Sequence, residues 1–91
     1  MSVTVLIPTP LRSYTDHQQS IEIDGQSVDE ILNKLMNQYP LLRKQICTED
    51  GTIRRFVNIF LNDEDVRFLE KDKTPVRELD VISIIPSIAG G

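Results

Sequence analysis

"SVDEILNKLMNQY", residues 27–39, decides the fold class. Its apolar positions are Val28, Ile31, Leu32, Leu35, Met36 and Tyr39, spaced by threes and fours, which puts them on one helical stripe. Ser27 can accept from the free amides of the first turn, and Glu30, three residues on, can complete a capping box. Pro40 disfavours helical geometry at Tyr39, so the helix is expected to end there. Burying one stripe does not by itself offset the entropy of ordering a dozen residues, so this helix needs a sheet to pack against.

The sheet is legible on both sides of the helix. "SVTVLIP" alternates Val3, Val5 and Ile7 against Ser2, Thr4 and Leu6, a period of two that Pro8 and Pro10 terminate. "SIEID", Ser20–Asp24, repeats the alternation up to Gly25, and the polar loop Thr9–Gln19 is long enough for the two strands to pair antiparallel. After the helix, Leu41–Arg55 reads as irregular with a turn at Gly51. "FVNIFL", Phe56–Leu61, is a third strand closed by the polar turn "NDED". Val66–Phe68 is expected as a short edge strand, and a charged connection with Pro75 leads to the last strand, "VISIIP", Val81–Pro86. This order predicts an α+β domain in which one amphipathic helix covers one face of a small mixed sheet. Of several small α+β folds, the β-grasp, or ubiquitin-like roll, leads.

One helix covers one face, so the other is polar or is used. Asn58 is in phase with Phe56 and Phe60, and Ser83 with Val81 and Ile85. The core is therefore expected to hold Val3, Val5, Ile7, Val57, Ile59, Leu61, Ile82 and Ile84. Leu6, Phe56, Phe60, Val81 and Ile85 fall on the open face, an apolar group that reads as a partner-binding surface with two phenylalanine anchors. The alternative is that Thr9–Gln19 or Leu41–Arg55 folds over it as a second small core.

The chain of 91 residues carries 40% apolar and 26% charged residues and a net charge of −4, the balance of a single globular domain. No apolar stretch has the roughly 18 residues of a membrane span, and "MSVTVLIPTP" lacks the basic start of a signal peptide, so a cytoplasmic protein is expected. The acidic balance repels phosphate backbones, which argues against nucleic acid and for a partner with a basic face. Cys47 is the only cysteine and His17 the only histidine. Neither a disulfide nor a cysteine-based metal site can form in one chain, and the bland readings are a small buried thiol and a solvated imidazole. No nucleophile–base pair, phosphate loop or metal cluster is present, so no catalytic residue and no bound cofactor are assigned.

The remaining feature is the end, "PSIAGG". The expected division is a domain over 1–86 and a flexible tail over 87–91. Five residues after Pro86 can reach at most about 16–18 Å. Without Cβ atoms, Gly90 and Gly91 fit a narrow tunnel, while Ile88 and Ala89 can anchor the approach. A terminal carboxylate is ionised at neutral pH and a poor electrophile, so another enzyme must activate it, most economically as an acyl adenylate made from ATP. The activated carbonyl of Gly91 can then accept sulfur, as a thiocarboxylate, or an amine, as a conjugate.

"FVNIFLNDEDVRF", Phe56–Phe68, and "DVISIIPSIAGG" at the end resemble the ubiquitin-like sulfur-carrier proteins of the MoaD/ThiS superfamily over nearly the whole chain. With "VTVLIPTPLR" at the start, the chain is most similar to the carrier that serves cysteine biosynthesis; Ile88 stands where a smaller apolar residue is more usual. The resemblance implies partners: a ubiquitin-activating-type enzyme that uses ATP to adenylate Gly91, and a pyridoxal-phosphate-dependent cysteine synthase that takes the sulfur. It implies a free Gly-Gly end that needs no processing protease. The other branches are the small subunit of molybdopterin synthase, whose partner is the large subunit, and the thiamine carrier, from which Leu41–Arg55 departs. A ubiquitin-like protein modifier, which ends alike, and a plain ubiquitin-like interaction domain are the readings outside sulfur transfer.

Overall fold

The computed structural model describes residues 2–66 and 75–86. Its elements run β1 (Ser2–Leu6), a 3-10 helix (Thr9–Tyr14), β2 (Ser20–Asp24), α1 (Val28–Gln38), α2 (Pro40–Ile46), β3 (Val57–Leu61), β4 (Glu64–Asp65) and β5 (Val81–Pro86). The strands form one mixed sheet in the order β2-β1-β5-β3-β4. β1 and β5 pair in parallel through Val5 and Ile82, and the other pairs are antiparallel. First and last strands lie side by side at the centre with α1 across one face, the β-grasp arrangement expected from the element order.

Alternation sorts the two faces as anticipated. Val3, Val5, Ile7, Val57, Ile59, Leu61, Ile82 and Ile84 are all buried, packed with Val28, Ile31, Leu32, Leu35 and Met36 of α1. The entry to α1 is specified by short-range bonds. Ser27 Oγ accepts from Glu30 N at 3.2 Å, and Glu30 Oε1 reaches back to accept from Gln26 N at 2.7 Å, one residue earlier than a capping box requires. Gly25 is buried in this turn, where a Cβ would stand 2.6 Å from Ile31 Cδ1.

The structure corrects three expectations. Leu41–Arg55 is not irregular throughout: α1 stops at Gln38 as Pro40 requires, but the chain at once enters α2 with that proline in its first turn. Proline excludes helix at the residue before it yet presets its own φ for a helix start, so one residue ends one helix and begins the next. Leu42 and Ile46, four apart, are fully buried beneath α2. A hairpin follows, closed by a bridge between Cys47 and Ile53, with Gly51 at φ +89° in its turn. The Thr9–Gln19 loop contains the 3-10 helix, whose Leu11 joins the core.

An edge strand forms at Glu64–Asp65, inside the segment expected as a polar turn; of the expected edge strand Val66–Phe68, Val66 follows it and Arg67 and Phe68 lie outside the described residues. Asn62 adopts φ +56°, so the turn closes within two residues and sets Glu64 directly opposite Leu61.

Candidate functional site: an open sheet face beside the tail exit

β1, β5 and β3 place their outward side chains in rows. Leu6 and Phe60 flank Ser83 from its two sides, Val81 stands beside Thr4, and Ile85 stands beside Asn58. Leu6 is 42% and Ile85 45% exposed, while Phe60 and Val81 are half-buried. Four of the five expected surface residues therefore share one face of the central strands, opposite α1. Phe56 differs. It is 46% exposed but sits in the turn before β3, where Val57 N donates to Arg54 O at 3.0 Å. The third strand begins one residue later than its alternation suggests, so Phe56 lies at the rim and, among the described residues, Phe60 is the aromatic side chain within the patch.

Neither intervening segment folds over this face. The 3-10 helix and α2 contact each other, and their Leu11, Leu42 and Ile46 belong to the core beneath α1. The apolar spacing in "PLLRKQI" was the available signal: Leu42 and Ile46 had to be buried somewhere.

Gly91, Gly90, Ala89 and Ile88 lie outside the described residues, as does the expected division at 86/87. What the structure does place is Pro86, the last described residue before them. Pro86 pairs with Val57, so it lies at the end of the sheet where β3 starts, with Ile85 before it and Phe56 preceding its partner Val57.

The two lone reactive side chains take up structural positions. Cys47 is buried with its Sγ 3.4 Å from Met36 Sδ, and burial pushes its thiol up against the smaller opposing pull of Arg43 and Arg54. His17 is exposed, at φ +62° in a turn. Asp50 is hydrogen-bonded by Thr48 Oγ1 and by Thr52 N at 3.1 Å, and these bonds hold its carboxyl below the ordinary value. A cleft of about 840 Å³ between α1 and the Cys47–Ile53 hairpin is lined by apolar groups such as Leu32, Met36 and Ile59 along with Arg54 and Asp29. Among the described residues no group of His, Cys, Asp or Glu is placed to hold a metal ion, and no helix is long and apolar enough to cross a membrane.

Residues 5–91 match the ThiS family. This chain belongs to the ThiS family. Its resemblance to ubiquitin-like sulfur carriers of the MoaD/ThiS type thus holds over nearly its full length. The chain is 38% identical over 93 residues to the sulfur carrier protein CysO of Mycobacterium tuberculosis, with 100% of both chains covered. It is 37% identical, with a TM-score of 0.87 and 98% and 99% of the two chains covered, to a chain in the crystal structure of the Amycolatopsis orientalis BexX/CysO complex. The solution structure of the small archaeal modifier protein 1 of Methanosarcina acetivorans has a TM-score of 0.88 at 26% identity, covering 99% of this chain and 96% of that one. These matches share the five-stranded β-grasp sheet with its helix, and the ThiS-family chain is similar to them across the whole of that architecture.

Proposed function

We propose that this ThiS-family chain is a sulfur carrier that works through the carboxylate of Gly91. The observation that carries the reading is the end-to-end alignment with CysO at 38% identity. The geometry supports it: the open apolar face and the departure point after Pro86 adjoin, so one partner can grip the sheet and receive the tail together.

The chemistry is two displacements at one carbonyl. The Gly91 carboxylate attacks the α-phosphorus of ATP, forming an acyl adenylate and releasing pyrophosphate. A persulfide on the sulfur donor then attacks that carbonyl, forming a C–S bond and expelling AMP, and a second thiol cleaves the S–S bond, which leaves a thiocarboxylate on Gly91 and a disulfide on the donor. The activating enzyme, of the ubiquitin-activating type, supplies ATP and the catalytic groups. The carrier supplies the acyl group and the docking surface and catalyses neither step, with Ile88, Ala89 and Gly90 threading the enzyme's channel. The acceptor is a pyridoxal-phosphate-dependent cysteine synthase, in which sulfur displaces the leaving group of an activated serine and leaves cysteine attached to Gly91 for later release. All of this takes place in the cytoplasm, with neither nucleic acid nor membrane as a partner.

A second reading, a modifier joined to lysines through Gly91, is favoured by the likeness to the archaeal modifier protein. Intact-mass measurement of protein from sulfur-replete cells separates the two. A species heavier by one sulfur-for-oxygen exchange, or by one cysteine, supports the carrier, and a ladder of high-mass conjugates supports the modifier. Appending one residue after Gly91 is expected to abolish both while leaving the thermal unfolding curve unchanged. Sulfur uptake by the extended protein would exclude Gly91 as the reactive group.

A further inference from the structure

The charges of this acidic chain are segregated along the strands. β1 and β5 run one way and β3 the other, so one end of the sheet holds Leu6, Val57 and Pro86 and the opposite end holds Ser2, Leu61 and Val81. Arg54 and Arg55 immediately precede the turn into β3 and hence sit at the end from which the tail leaves. Arg54 N donates to Ile46 O at 2.8 Å and Arg54 Nε to Lys44 O at 3.1 Å, which holds the last turn of α2, with Arg43 and Lys44, against the same end. α2 also packs on the 3-10 helix that follows β1 there. Lys44 and Arg55 are exposed, and no described carboxylate is within ion-pair distance of any of the four. The acids nearest these cations are Asp16, Glu49, Asp50 and Asp29, the last lining the same cleft as Arg54 and Arg55, and the carboxylate of Asp50 is turned into its own hairpin by Thr48 and Thr52. The far end carries Asp24, Glu30, Asp63, Glu64, Glu78 and Asp80, with Arg77 and with Lys34, whose Nζ donates to Asp24 O at 2.7 Å and lies 3.8 Å from Glu30 Oε2.

We infer that Arg43, Lys44, Arg54 and Arg55 form an orienting collar that docks this chain tail-first on a protein whose tail-entry channel is ringed by carboxylates. The inference rests on the proposed function and refines it: the net charge of −4 suggests a basic partner, whereas the working end of the molecule has the opposite sign. A body negative at one end and positive at the other turns in the field of an acidic channel before contact, which raises the productive encounter rate. Guanidinium groups then match carboxylates with paired hydrogen bonds. A nucleic acid would meet the same cations but also the acidic remainder of the surface, which repels it.

Two measurements test this. In the first, labelled protein is titrated with a hexaglutamate peptide and followed by amide chemical shifts. Shifts centred on residues 43–44 and 54–55 that vanish in the Lys44→Glu/Arg55→Glu double variant support the collar. Shifts that are absent, centred elsewhere, or matched by a single-stranded oligonucleotide overturn it. In the second, the adenylating enzyme is assayed by ATP–pyrophosphate exchange dependent on this protein. The double variant is expected to raise KM about tenfold at low salt with kcat retained, the gap closing as salt rises, while Glu64→Gln changes neither. An unchanged KM overturns the collar. If the unaltered protein supports no exchange with any adenylating enzyme, the carrier reading fails, and the peptide titration still decides the collar.

Discussion

At the scale of single residues, Gly25 shows how close packing dictates a side chain. It lies where β2 turns into α1, and a methyl group there would meet Ile31 Cδ1 at 2.6 Å and Cγ1 at 3.1 Å. Gly25→Ala is expected to cost about 1–3 kcal/mol as Ile31 leaves its rotamer, read as a lower urea midpoint at constant slope. The sequence marks Gly25 only as a strand terminator; the fully buried isoleucine six residues later is what makes it obligatory. Cys47 gives a second residue-scale expectation. Its folded thiol is pushed above the ordinary value by burial, so the folded protein binds its proton more tightly than the unfolded chain does. The stabilising effect is complete below the unfolded thiol's range and is lost as pH rises through the folded one. Near neutral pH, Cys47 should react with a disulfide reagent only in denaturant; rapid labelling of native protein would mean that the Cys47–Ile53 hairpin opens readily. Burial of this thiol was readable from its apolar neighbour Ile46, but its contact with Met36, eleven positions away, was not.

Among the elements, α1 and the four long strands follow from local pattern, because periods of 3.6 and 2 set which side chains share a face whatever surrounds them. α2 is the element that pattern reading passes over. Seven residues make too short a window for periodicity, and a proline at its head argues against helix until the preceding residue is seen to leave the helical region. Its worth lies in tertiary contact, since Leu42 is fully buried between α1 and the 3-10 helix. Leu42→Ala is therefore expected to destabilise the protein by about 2–5 kcal/mol, measured by thermal or urea unfolding. A loss below about 0.5 kcal/mol, the level of an ordinary surface change, would mean that α2 is peripheral. β4 escapes prediction for a similar reason: two residues of strand have no period, and only the left-handed Asn62 decides where pairing resumes.

For the molecule as a whole, the consequence of the fold is that one sheet face has α1, α2 and the 3-10 helix on it and the other has none of them. Phe60 is the test of that asymmetry. An aspartate at this position would face Asp65 across the β3–β4 pair and add a repulsion of its own, so serine is the cleaner replacement. Phe60→Ser should weaken binding to the activating enzyme about tenfold or more, a hot-spot loss, while lowering the melting temperature by only a few degrees; calorimetric titration and thermal unfolding measure the two. The sequence alone determined which residues of the long strands and of α1 point inward, which sheet face turns away from α1, where α1 begins and that the last two positions carry no side chains, because each is a matter of local period, capping or composition. Tertiary structure alone decided that β1 and β5 lie side by side, that α2 and the 3-10 helix close the core on the side of α1 and not over the open face, and that four scattered cations gather at the end of the sheet that holds Pro86. Those are relations between segments distant in the chain, and they arise only when burial of one shared core selects a single way of bringing the segments together.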